Sequence, residues 1–186
     1  NVQRTYIVAG QRSTPRNANR RRYGQMVTLK WGLAQSNNWI SAYLMSKLNP
    51  RQFVGILHDF GINNPDIHPS MSLCLGPCDV SVGEMVSAYT TFANHGIRCA
   101  PMLVTRIEDN EGNVVARFQP RMNEVISDAS ANKMLVELME VVNNGTAGRL
   151  RYKYNMEGEI GGKTGTTNKN ADAWFMGFTP QLVSGC

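Results

Sequence analysis

Two short polar clusters carry groups suited to nucleophilic and acid–base chemistry. Ser36-Asn37-Asn38 places a hydroxyl and two side-chain amides at a break between two helical patterns. Lys163-Thr164-Gly165-Thr166-Thr167 places an ammonium and three hydroxyls on a Gly-flanked run of β character. A hydroxyl becomes a useful proton donor or acceptor only beside a partner that fixes its hydrogen bond, and a lysine cation stabilises developing negative charge. Each cluster alone also has a plain structural use. Ser36 is placed to cap the helix that follows, and Lys163 suits an edge strand, where lysine blocks aggregation. The end of a phosphate-binding loop, G-x-x-x-x-G-K-[ST], is also matched by Gly162-Lys163-Thr164. That assignment fails, because the first-glycine position is Glu157 and Gly158 lies one residue late. The segment also leads into a second strand pattern, Asp172-Ala173-Trp174-Phe175-Met176-Gly177-Phe178, where the loop requires a helix.

The elements that must position these groups follow from periodicity and capping. Residues 1–25 read as irregular. Thr28 is expected to cap a short helix through about Gln35, with a second helix from Trp39 to Leu48. Pro50 suits the first position of a third, whose Phe53, Ile56, Leu57 and Phe60 keep helical spacing until Gly61 ends it. Residues 62–80 read as a loop. Ser81 and Glu84 form a capping box before Val82, Met85, Tyr89 and Phe92, and Gly96 stops that helix. Residues 102–118 read as a hairpin around Asp109-Asn110-Glu111-Gly112-Asn113. A further amphipathic helix spans 128–143, with Met134, Leu135, Leu138, Met139 and Val142 inward and Gly145 at its end. Strands are expected at 159–167 and 173–179, joined by a polar turn at Asn168-Lys169-Asn170, and a last β run covers 182–184.

The chain has 186 residues, 42% of them hydrophobic and 18% charged, which suits one globular domain with a real core. No apolar run approaches the roughly 18 residues of a membrane helix, and no signal peptide is visible. The net charge of +5 is uneven: no Asp or Glu precedes Asp59, whereas nine Lys or Arg do. We read this basic stretch as a solvated surface; it lacks the interleaved aromatics of a single-strand binder and the spacing of a helix-turn-helix or zinc finger, so nucleic acid is not expected as a partner. Cys74, Cys78, Cys99 and Cys186 allow three pairings. Cys74 and Cys78 with Cys99 and one of His58, His68 or His95 would supply four zinc ligands, but no second tight ligand pair exists, so small buried thiols and no metal are expected.

The surroundings of both clusters resemble one family over nearly the whole chain. S-x-x-K, S-D-N and K-T-G mark penicillin-binding proteins and class A β-lactamases. In penicillin-binding proteins the middle element is usually S-x-N, as in Ser36-Asn37-Asn38. It is preceded here by Val27-Thr28-Leu29-Lys30-Trp31-Gly32-Leu33-Ala34-Gln35, similar to the V-T-L-x-x-A-L-A-x-S run of bifunctional (class A) members. Glu84-Met85-Val86-Ser87-Ala88-Tyr89 with Phe92-Ala93-Asn94-His95-Gly96 resembles that family's E-M-x-x-A-Y-x-x-F-A-N-x-G helix. Gly162 to Thr167, followed by Asp172-Ala173-Trp174-Phe175, resembles its G-K-T-G-T-T…D-A-W-F ending. One element of the order is absent: nothing ahead of Ser36 spells S-x-x-K. Ser130-Ala131-Asn132-Lys133 fits the letters but follows the S-x-N element, within a helix where a Ser and a Lys three apart are ordinary surface neighbours.

The resemblance therefore implies a C-terminal piece of a D,D-transpeptidase domain, residues 1–186 forming one partial domain. The expected fold is α+β, an antiparallel sheet between helical layers. The first two strands and the nucleophile's helix are expected upstream, and the last strand is cut near Cys186. The implied reaction is acyl transfer from D-Ala-D-Ala stem peptides through a serine acyl-enzyme, with no cofactor and with β-lactams as covalent ligands. The implied roles are proton relay for Ser36, a hydrogen bond to the acyl amide for Asn38, and positive charge for Lys163. Thr164, Gly165, Thr166 and Thr167 form the substrate-binding strand. Thr164 is structural there, Thr166 takes the terminal carboxylate, and the Thr167 backbone N–H is half of an oxyanion hole; Gly161, Gly162 and Gly165 let substrate approach the backbone. The implied location is extracytoplasmic, with membrane anchoring upstream. The piece is expected to be inert alone and prone to self-association. The alternative is a non-catalytic β-lactam-sensing or cell-wall-binding module.

Overall fold

A computed structural model describes residues 1–8, 10–167 and 171–186; the expected turn at Asn168-Lys169-Asn170 lies outside the described residues. The chain starts with a short hairpin, β1 (Tyr6–Val8) and β2 (Gln11–Ser13), where irregular structure is expected from the sequence. Three helices follow: α1 (Leu29–Ala34), α2 (Asn38–Met45) and α3 (Pro50–Asp59). Thr28 caps α1 as expected, its hydroxyl accepting from the Trp31 N–H at 3.1 Å. Asn37, not Ser36, caps α2, its side-chain oxygen accepting from the Trp39 and Ile40 amides at 3.1 and 3.2 Å. A five-residue 3-10 turn (Met71–Leu75) lies within the expected loop. The capping box then opens α4 (Val82–Ala93), with the Ser81 and Glu84 bonds both formed.

Two strand pairs surround the next segment. β3 (Ile97–Cys99) runs antiparallel to β6 (Met122–Glu124), and between them lies the expected hairpin, β4 (Arg106–Glu108) and β5 (Val114–Arg117). Helix α5 (Asp128–Asn144) carries Leu138, Val141 and Val142 into the core, and α6 (Arg149–Tyr152) follows. The chain closes with an antiparallel sheet in the order β7 (Gly161–Thr166), β8 (Ala173–Phe178), β9 (Val183–Gly185).

Two apolar clusters hold these layers. Met45, Ile62, Ile67, Met71, Leu73 and Ala88 pack under α2, α3 and α4. Val141, Val142, Ala147 and Ile160 pack α5 onto the sheet, with Phe175 against them. Val141 and Val142 are fully buried, and burying each stabilises the fold by about 2 kcal/mol. Phe175 turns to the α5 side of the sheet and Met176 to the other, because successive strand residues alternate. The small glycine positions fit this packing: a Cβ at Gly161 would stand 2.4 Å from the Phe178 ring, and one at Gly162 would meet the Phe175 ring at 2.7 Å. These two buried glycines make room for the protein's own aromatics. The resemblance implies substrate approach at both positions; their neighbours assign them to the core instead. No helix among the described residues is long and apolar enough to cross a membrane.

Candidate active site

Ser36 stands on the three-residue connection, 35–37, between α1 and α2. Its φ of +50° is left-handed, a region that costs a non-glycine residue roughly 1 kcal/mol. The turn is tied back to α1 twice: the Ser36 N–H donates to the Leu33 carbonyl at 3.0 Å, and the Asn37 N–H to the Gly32 carbonyl at 2.9 Å. Asn37 is buried, and its side-chain amide also donates to Asn1 at 3.0 Å. The result is an exposed Ser36 hydroxyl on a fixed backbone.

Lys163 arrives from the other layer. The β7–β8 register sets it opposite Met176. Its Nζ donates to Ser36 Oγ at 2.9 Å and to the Thr164 carbonyl at 2.8 Å. Burial lowers its pKa to about 8. The ion pairs among the described residues are His95–Asp128 and Arg106–Glu108, so no carboxylate there offsets that burial. The structure thus brings Ser36 and Lys163 together across 127 residues of sequence.

The ladder also decides which way the rest of the strand faces. The Thr167 N–H donates to the Asp172 carbonyl at 3.1 Å, and Phe175 exchanges both of its backbone bonds with Cys186. Antiparallel pairs alternate between bonded and unbonded. Lys163, Gly165 and Thr167 therefore direct their backbone groups at β8, while Thr164 and Thr166 direct theirs at the open edge beside Ser36. This corrects one expected role: the Thr167 N–H is consumed within the sheet, and the edge-facing donor is that of Thr166. The Thr167 hydroxyl is committed as well, donating to the Asp172 carboxylate at 2.9 Å and accepting from its N–H at 2.8 Å. The Thr164 hydroxyl pairs with that of Thr146 at 2.6 Å.

Asn38 lies at the start of α2. One of its amide N–H groups donates to the Arg16 carbonyl at 2.7 Å, while its backbone N–H donates to the Asn17 side chain at 2.7 Å. The nearby Trp39 indole donates to the Pro15 carbonyl at 3.1 Å. Residues 15–17 thus brace the Asn38 side of the site, a contribution with no signal in the sequence. A cavity of about 470 Å³ opens beside Lys163 and Thr166, walled by Cys78, Asp79, Tyr89 and Trp174 among others. Burial pushes the Tyr89 hydroxyl up to about 12, so it stays protonated there. Among the described residues, no three His, Cys, Asp or Glu side chains gather as a metal would require.

Ser130 and Lys133 are both exposed on the opening turns of α5, where Ser130 bonds to the cap Ser127. The far end of α5 abuts Gln35 through the Asn144 carbonyl. At 1.5 Å per residue Ser130 lies about 21 Å from that end, so this S-x-x-K match belongs to the surface.

Comparison with known proteins places these features. The model of the penicillin binding protein transpeptidase domain family matches residues 3–183. Penicillin-binding protein 1A of Aquifex aeolicus is 34% identical over 176 residues, covering 95% of this chain and 23% of that protein. Penicillin-binding protein 1A of Neisseria lactamica is 32% identical over 92% of this chain and 22% of its own length. The chain thus spans under a quarter of these curated relatives. The crystal structure of penicillin-binding protein 1A from Haemophilus influenzae superposes with a TM-score of 0.88 at 25% identity, covering 98% of this chain and 33% of that one. PonA1 of Mycobacterium tuberculosis in complex with penicillin V shares the fold, with a TM-score of 0.75 at 23% identity over 97% of this chain and 51% of that one. With a family match across nearly its full length and relatives above 30% identity, this chain belongs to the penicillin-binding protein transpeptidase domain family.

Proposed function

We propose that these residues form the proton-relay and substrate-binding side of a serine D,D-transpeptidase acting on peptidoglycan stem peptides. The observation that carries this reading is the 2.9 Å hydrogen bond from Lys163 Nζ to Ser36 Oγ, which joins the two motif segments. In that bond the lysine is the donor, so the Ser36 proton is free to point elsewhere. It is placed to pass to the departing D-Ala amine as the serine ester forms and the C–N bond breaks, while the proton released by the attacking serine is relayed back to Ser36. Reversal of the same step takes a proton from the incoming amine of a neighbouring stem.

Thr166 binds at the open edge. Its N–H stabilises the carbonyl oxygen as that oxygen gains charge, and its hydroxyl holds the terminal carboxylate. Asn38 presents its amide to the acyl amide from the opposite rim. Lys163 supplies positive charge near the carboxylate; with a pKa of about 8 it is mostly protonated at neutral pH. The acylated serine comes from outside these 186 residues, and the chain alone is inert. β-Lactams enter as analogues of the D-Ala-D-Ala end, a use supported by the penicillin V complex of the PonA1 neighbour. The reaction takes place outside the cytoplasm, where peptidoglycan is cross-linked, and the chain is anchored there through residues outside these 186.

The test is incubation of this chain, and of a version extended upstream, with a fluorescent penicillin, followed by mass spectrometry. An adduct confined to the extended version, on a serine ahead of Asn1, is expected. An adduct on this chain would overturn the placement of the nucleophile. Reversible binding with no adduct on either would favour a sensing module.

A further inference from the structure

We propose that the turn Asn144-Gly145-Thr146, at the end of α5, is a clamp that sets the separation of the Ser36 turn from the Lys163 strand, with Thr146 as its positioning residue. The proposal rests on the reading of Ser36 and Lys163 as a working pair. Its basis is where the bonds of this turn go.

A helix end ordinarily satisfies itself with a cap from its own chain. Here the polar groups after α5 reach two other elements. The Asn144 carbonyl accepts from the Gln35 side chain at 3.1 Å. The Thr146 N–H donates to the Ala34 carbonyl at 3.0 Å. The Thr146 hydroxyl meets that of Thr164 at 2.6 Å. One turn thus grips the two residues before Ser36 and the residue after Lys163. Thr146 itself is exposed; its N–H satisfies the carbonyl of the buried Ala34, and its hydroxyl bond to Thr164 answers no buried demand of Thr146 itself.

The grip is close and has a rigid mount. A Cβ on Gly145 would stand 2.3 Å from the Ala34 carbonyl oxygen and 2.8 Å from the Val141 backbone. No side chain fits between α1 and α5 at this point. The Ala147 N–H returns to the Val141 carbonyl at 3.1 Å, and Val141 and Val142 are fully buried. Positioning groups work best when carried by such packed elements. Ser36 needs the support, because its left-handed turn has no sheet register to hold it.

The experiment uses this chain and follows the titration of the Lys163 ε-carbon by NMR, with thermal unfolding run alongside. In Thr146→Val, which keeps the shape and loses the hydroxyl, the Lys163 midpoint is expected to rise by about one pH unit or more toward the ordinary lysine value, while the melting temperature changes little. Thr146→Ser should restore the wild-type midpoint. Thr164→Val removes the other half of the same bond and should move the midpoint equally, with no further shift in the double variant. A Thr146→Val protein that is folded yet titrates like the wild type would overturn the clamp. So would a Thr146→Ser protein that shifts as far as Thr146→Val. Should Thr146→Val not fold, the Thr164→Val titration decides the matter on the same terms. These outcomes do not depend on acylation, so a failed penicillin adduct would count against the transpeptidase reading and leave the clamp standing.

Discussion

The two halves of the site are built by different means. Lys163 belongs to a six-residue strand whose register is fixed by pairing along β8 and by the half-buried ring of Phe175 packed on the α5 cluster. Ser36 belongs to a three-residue turn held by backbone bonds to α1, by the Asn37 cap and by the end of α5. A strand places a side chain through many cooperating bonds, so a single substitution moves it little. A turn places a side chain through a few specific bonds and stores strain, so it depends on its neighbours. The lysine half therefore concentrates its cost in burial of a charge, and the serine half in backbone conformation.

The largest expected effect separates these costs by pH. Lys163 binds its proton less tightly in the folded state, at about 8, than in the unfolded chain. Below pH 8 both states are protonated and the burial penalty is present in full. As pH rises from about 8 to about 10.5 the folded state loses its proton first, so the penalty is relieved and stability rises. The full span corresponds to about 3 kcal/mol. Burial also pushes the Cys74 and Cys78 thiols up, which tilts stability the other way over the same range. The Lys163 contribution is therefore read as the slope that urea unfolding of the wild type has in excess of Lys163→Met, which has no proton to release. An unchanged slope in the variant would assign the effect to another group.

A smaller effect probes the serine half. Ser36→Gly relieves the left-handed strain, whereas Ser36→Ala keeps it. The glycine variant should be the more stable of the two by about 1 kcal/mol. Equal stability would mean that the turn is relaxed, and the contrast between the halves would then fail.

The same contrast explains what was legible in the sequence. Local signals carried the helices: Thr28, Pro50, the Ser81 and Glu84 box, and Gly61 each act through neighbours within four residues. The strand of Lys163 was legible from its composition and its following partner. Which of its residues faces the open edge was not, because that phase is set by Asp172 and Cys186 across the sheet; hence the donor moved from Thr167 to Thr166. The β1–β2 hairpin escaped because three-residue strands show no periodicity. The pairing of Ile97 with Glu124 escaped because it joins segments far apart in sequence. Gly145 was read as a helix stop, which it is, but the reach of Thr146 to Ala34 and Thr164 has no sequence signature.

The central claim is that a turn serine and a strand lysine act as one unit. It is tested most directly by a double-mutant cycle on penicillin acylation in the chain extended upstream, with Ser36→Ala, Lys163→Ala and both. Each single change should slow acylation by about 100-fold or more. The double variant should be little slower than either single one, because groups that act together are strongly non-additive. Losses that multiply in the double variant would contradict the account and make Ser36 and Lys163 independent contributors.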